Sequence, residues 1–177
     1  MTTIEHRLVT FQSIYVSDRH EWVTLYWREA TGRVIINSSY GDWSFSWAHR
    51  GNRTLADFLA DLDMDYMGGK MLGADYYVFS LDETKVAIKE HILEERRQAA
   101  LTKEEAEEVW ERFNSLKDGD ITFEMWVNEE SILCDTFDFH RTEPEPSWVH
   151  FWNKLWKPFV IPELKKVVNK EVTCTEK

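Results

Sequence analysis

The chain has 177 residues, a net charge of −11, 43% hydrophobic residues and 14% aromatic residues. A chain of this length buries roughly two-thirds of the surface its unfolded form exposes, so it can close a core of its own. It has no apolar run of about 18 residues, and Met1-Thr2-Thr3-Ile4-Glu5-His6 lacks the basic-then-apolar order of a secretion signal, so neither a membrane span nor export is expected.

The first half reads as an antiparallel meander. Residues 7–16, 22–28 and 33–38 are rich in β-branched and aromatic residues, with Val23, Leu25 and Trp27 facing one way, and Ser17-Asp18 and Thr31-Gly32 supply turns between them. Residues 43–49 make the fourth strand, so Trp43 or Trp47 is expected in the core. Asn52 or Thr54 then caps a helix in which Leu55, Phe58, Leu59 and Leu62 fall at helical spacing, with Gly68-Gly69 as its stop. A short extended piece over 76–79 follows Gly73.

The second half reads as mainly helical. Ser80 or Asp82 caps a helix through Val86, Ile88, Ile92 and Leu93 to about Ala99, and Thr102-Lys103-Glu104-Glu105 is a capping-box pattern opening another that ends near Asn114. Lys117-Asp118-Gly119-Asp120 is a turn, residues 121–127 alternate as a strand, and 131–139 are strand-like or irregular. Thr142-Glu143-Pro144-Glu145-Pro146 is expected as a linker whose prolines forbid regular structure. Beyond it Trp148, Phe151, Trp152, Leu155 and Trp156 form an apolar helix face, which packs either on the sheet or against a second copy of the chain as a homodimer. Pro158 and Pro162 are expected to bend the chain into a terminal basic helix. The expected fold is α+β: a single domain with an antiparallel sheet of four or five strands and helices packed on one face.

No fingerprint for catalysis, a metal or a cofactor is present, so no enzyme is expected. Asp61-x-Asp63-x-Asp65 opens like a calcium loop, but Tyr66 stands where the turn needs glycine and Leu72 where a bidentate Glu belongs; the aspartates read as a solvated helix edge or as contacts to Lys70 and Arg50. The six histidines form no His-x-x-x-His pair, which leaves a zinc site only from distant residues such as Cys134, His140 and His150. Cys134 and Cys174, far apart, read as reduced thiols, the first buried and the second in a loose tail. Gly68-Gly69 precedes Lys70 without the spacing of a phosphate loop.

Charge is distributed unevenly. Residues 57–146 hold 24 of the 32 acids against 9 of the 21 bases, a local net of −15. Such a field repels nucleic acid and draws in basic surfaces. The candidate contact residues are Glu104, Glu107, Glu108 and Glu111 on the capping-box helix, flanked by Glu94, Glu95, Asp118 and Asp120.

One segment carries a family resemblance. Tyr40-Gly41-Asp42-Trp43-Ser44-Phe45-Ser46-Trp47, followed by Asp63-Met64-Asp65-Tyr66 and Lys70-Met71-Leu72, resembles small phage- and prophage-encoded proteins over about residues 34–72. Where those proteins often have Trp-Gly after the strand, this chain has Trp47-Ala48-His49-Arg50-Gly51. The resemblance implies a phage product acting in the host bacterial cytoplasm and carries over no catalytic residue. With the acidic helix it leads to an expected role of binding, and inhibiting or redirecting, a host protein with a basic surface. A nucleic-acid-handling or defence complex such as a CRISPR effector would suit, with the helix imitating DNA phosphates and no direct contact to nucleic acid. The alternative is an accessory or structural protein that binds another phage product.

Overall fold

The computed structural model describes residues 8–115 and 139–175. The chain is α+β, and its contacts divide it into two compact units: residues 1–76 with 144–177, and residues 77–143 between them.

The first unit is built on a four-stranded antiparallel sheet in sequential order, β1 (Gln12–Asp18), β2 (Glu21–Arg28), β3 (Arg33–Ser38) and β4 (Gly41–Ser46). Strand limits follow from pairing. Gln12 lies opposite Trp27 and β2 ends one residue later at Arg28, so residues before Phe11 run past the end of β2, and β1 starts later than its composition suggests. Likewise β4 stops at Ser46, opposite Arg33 at the start of β3, rather than running on to residue 49. The β2–β3 connection is a 3-10 turn, Glu29–Thr31, closed by Gly32 at φ 64°, where an added Cβ would sit 1.9 Å from the Trp47 carbonyl oxygen. Alternation sends Val23, Leu25, Trp27, Val34 and Ile36 inward, with Trp47 buried beyond β4 and Trp43 half-buried against the core.

Helices cover that inner face. Thr54 caps α1 (Leu55–Ala60), its hydroxyl accepting from the Asp57 N–H at 3.2 Å. Asp63 caps α2 (Met64–Leu72), accepting from the Tyr66 N–H at 2.7 Å. The expected single helix is therefore two, and Gly68-Gly69 lie inside α2 rather than stopping it. Gly68 is there for close approach: an added Cβ would lie 2.2 Å from the Tyr76 ring and 2.6 Å from the Trp148 indole nitrogen. The three aspartates have separate structural partners. Asp61 pairs with Arg53 at 3.2 Å and Asp65 accepts from the Tyr76 hydroxyl, while Arg50 binds Glu29 and Lys70 lies over the rings of Phe45 and Tyr66.

The chain returns to this unit at Pro144, where the Glu145 N–H donates to the Tyr76 carbonyl at 2.8 Å. Residues 142–146 are not a structureless linker: Thr142–Pro144 forms β6, paired with β5 (Tyr77–Phe79), and Pro146 occupies the first turn of α5 (Pro146–Phe151), where a missing N–H costs no bond. Nor do the later prolines bend the chain away. A π-helical segment, Trp152–Val160, carries it past Pro158, with the Ile161 N–H bonded five residues back to Trp156, and α6 (Ile161–Thr175) follows directly. The wider turn suits the spacing of four that places Trp152, Trp156, Val160 and Leu164 in the core. The apolar face of this helix is thus buried within the unit, and the backbone of Cys174 belongs to α6 rather than to a loose tail.

The second unit contains α3 (Leu81–Arg97) and α4 (Lys103–Asn114), packed through Ile88, Ile92, Ala106, Val109, Phe113 and Phe139 as a separate small core. Ser80, not Asp82, caps α3, accepting from the Glu83 N–H at 3.4 Å. The strand expected over 121–127, the turn at 117–120, most of the 131–139 segment and Cys134 lie outside the described residues.

The two adjacent glycines of α2 should respond oppositely to alanine. Gly68→Ala is expected to destabilise by about 1–3 kcal/mol through overpacking. At Gly69 an added Cβ meets nothing within 4 Å, so Gly69→Ala should gain about 0.5–1 kcal/mol of helix propensity. Denaturant titration of the two variants checks both signs.

Glu145 gives a pH-dependent test. Its carboxylate caps α5, accepting from the Trp148 N–H at 2.8 Å and from the Ser147 hydroxyl. Burial pushes its pKa up, but the bonds from Ser147 and Trp148 and the charge of His150 together outweigh burial and hold it below the ordinary value. The stability it adds is therefore complete above the unfolded pKa, about 4.3, and is lost as pH falls through the lower folded value. Thermal melts of wild type and Glu145→Gln should differ most near neutral pH and converge in acid.

Candidate functional site

Helix α4 is amphipathic by construction. Its start is fixed by a reciprocal cap, in which the Thr102 hydroxyl accepts from the Glu105 N–H at 3.3 Å and the Glu105 carboxylate accepts from the Thr102 N–H at 2.9 Å. That backbone bond, with a second from the Thr102 hydroxyl, lowers the Glu105 pKa. Ala106, Val109 and Phe113, at i, i+3 and i+7, turn the apolar stripe toward α3. The opposite stripe is then set: Glu104, Glu107, Glu108 and Glu111 are all exposed.

Their pairing differs along the stripe. Glu107 is shared with Lys103 at 3.3 Å, one turn back. Glu104, Glu108 and Glu111 have no cationic partner among the described residues. On α3, Glu94 is already engaged: it accepts from the Gln98 side chain at 3.1 Å and from Arg97 at 3.0 Å, bonds that lower its pKa in that order, and Glu95 is half-buried. Of the eight acids singled out in the sequence, four share one helix stripe and two sit near the end of α3. Asp118 and Asp120 lie outside the described residues.

Between the two helices is a groove that the sequence did not reveal. A pocket of about 160 Å³ is floored by Ile92, Leu93, Ala106 and Trp110 and rimmed by Lys89, Arg96 and Glu107, with the Lys89 ammonium 5.4 Å from the Trp110 ring centre. The signal was present in Leu93 and Trp110, apolar residues on the flanks of their helices, but only the pairing of the helices brings them together. Of the histidines considered as zinc ligands, His140 packs on Phe79 at 5.0 Å and His150 lies over Tyr40 at 6.3 Å, while Cys134 lies outside the described residues.

The fold thus comprises a helix-backed antiparallel sheet and a second unit in which α4 bears an acidic stripe. The family model Phage_phiTE_072, described as a phage family, matches residues 2–166, and the chain belongs to that family. The match extends well past residues 34–72, which carry the resemblance in the sequence. No curated protein and no solved structure matches the chain. Among the described residues no helix is long and apolar enough to cross a membrane.

The turn leading into α4 offers a stability test. After α3 the N–H groups of Ala99 and Ala100 donate to the carbonyls of Arg96 and Glu95, a Schellman closure whose left-handed position is held by Ala99 at φ 60°. Glycine adopts this conformation without the strain an L side chain meets. Ala99→Gly is expected to stabilise the helical unit by about 1 kcal/mol, read as slower amide exchange in α3 and α4.

Proposed function

We propose that this phage protein works by docking the acidic stripe of α4 on a basic surface of a host protein, in the host cytoplasm, and so blocking or redirecting that protein. The observation that supports the reading is the uncompensated, one-sided array of Glu104, Glu108 and Glu111, with Glu107 alongside. Seven residues of helix advance about 10 Å, so the four carboxylates average one per roughly 3.5 Å of axis. A single DNA strand carries one phosphate per about 3.4 Å of axis. A surface evolved to hold phosphates is therefore the best electrostatic match, which points to a nucleic-acid-handling or anti-phage defence protein. Like charges at i,i+4 cost a few tenths of a kcal/mol per pair, and a partner's cations would recover that cost.

The test begins with the tagged protein in a bacterial lysate and mass spectrometry of what it retains. Binding to that partner should weaken steeply as salt rises. Replacing Glu104, Glu107, Glu108 and Glu111 together by Lys should abolish binding yet leave the fold intact, since each exposed charge changes stability by less than about 0.5 kcal/mol. Unchanged affinity and salt dependence in the quadruple variant would mean that the stripe is only a solvated face.

A further inference from the structure

The face of the sheet turned away from the helices of its own unit carries aromatic and cationic side chains together. Tyr15 is 66% exposed, Trp22 38% and Tyr26 36%. Tyr15 lies opposite Thr24 on β2, between the positions of Trp22 and Tyr26, so the three rings form one patch across β1 and β2. The two tyrosine hydroxyls have no hydrogen-bond partner among the described residues. Two residues beyond Tyr26, on the same face, stands Arg28, and directly across from it on β3 stands Arg33.

This arginine pair is unusual in its surroundings. Like charges directly opposite each other across strands are destabilising, yet no carboxylate contacts either guanidinium among the described residues. Arg33 instead donates to the hydroxyls of Ser44, at 2.8 Å, and Ser46. The carboxylate on the same face, Asp42, is occupied by the Asn37 amide at 3.0 Å. An anion lying between the two arginines would convert their repulsion into a clamp.

From these two independent features we infer that the open face of the sheet binds single-stranded nucleic acid, with bases stacked on Tyr15, Trp22 and Tyr26 and a phosphate held by Arg28 and Arg33. Aromatic platforms beside a cationic row are the ordinary means of holding a single strand without reading its sequence. From Trp22 to Arg28 the strand runs about 20 Å, room for several nucleotides. The overall charge of −11 repels a polyanion at long range, so stacking, not electrostatic capture, leads the contact. The acidic stretch that argued against nucleic acid in the sequence spans 57–146, and the sheet lies outside it.

Fluorescence anisotropy with a fluorescein-labelled oligothymidylate, and with a duplex of the same length, tests this. The single strand should bind and quench tryptophan emission, whereas the duplex, its bases already stacked, should not. Tyr15→Ala with Tyr26→Ala should weaken binding at least about tenfold. Tyr15→Phe with Tyr26→Phe, which keeps the rings, should preserve it. Arg28→Gln with Arg33→Gln should weaken binding and flatten its salt dependence by about 0.7 for each phosphate no longer neutralised. Failure of the wild-type protein to bind any single strand overturns the inference. So does equal affinity of the alanine and phenylalanine variants, or a preference for the duplex.

Discussion

The indole N–H of Trp148 donates to the Met64 carbonyl at 3.2 Å, and the ring itself meets Trp43 edge-on at 5.0 Å and Phe151 at 5.3 Å. One side chain thereby joins β4, α2 and α5. Met64 and Gly68 are four residues apart on one face of α2, so the donor reaches its carbonyl only because Gly68 presents no Cβ beneath it. Aromatic surfaces alone would tolerate sliding, whereas a directional bond in a desolvated site does not. Three other core indoles are less well served: the N–H groups of Trp27, Trp47 and Trp156 are buried without a partner among the described residues. Each costs about 1–3 kcal/mol, offset by burying a large ring.

What the sequence discloses and what it hides follow from the range of the forces involved. The alternation of Val23, Leu25 and Trp27, the Thr102–Glu105 cap and the apolar face at Trp148 are local patterns, and all three appear in the structure as read. Errors arose where tertiary contacts overrode local rules. Gly68 and Pro158 look like helix breakers in isolation. The first is retained because an aromatic pair presses on α2, the second because the helix widens into a π register. The arginine pair was not legible, since Arg28 and Arg33 become neighbours only through the β2–β3 register. The acidic stripe was legible as a helical period, but not the difference between Glu107, which is paired, and Glu104, Glu108 and Glu111, which are not.

The net charge of −15 over residues 57–146 also dissolves into distinct roles. Asp57, Asp61, Asp63 and Asp65 belong to the sheet unit, where they pair with Arg53, cap α2 and accept from Tyr76. In the other unit Glu105 caps α4, and Glu94 is engaged by the side chains of Gln98 and Arg97. What remains for an outside partner is a smaller set with a defined direction. Charge summed over sequence sets the long-range field, while short-range recognition depends on which carboxylates the fold leaves unengaged.

The core of the sheet unit is assembled from both ends of the chain, with the helical unit intervening between Tyr76 and Pro144. During synthesis β1 to β4 emerge about a hundred residues before Trp148, Trp152 and Trp156, which complete their inner face. At about 5–20 residues per second the ribosome leaves that inner face without this part of its cover for roughly 5–20 s. The pairing of α3 with α4, close in sequence, needs no such wait, although Phe139 joins their core only shortly before Trp148 emerges. The order of assembly therefore runs opposite to the order of the chain: the inserted helices can settle first, and the sheet that precedes them is sealed last.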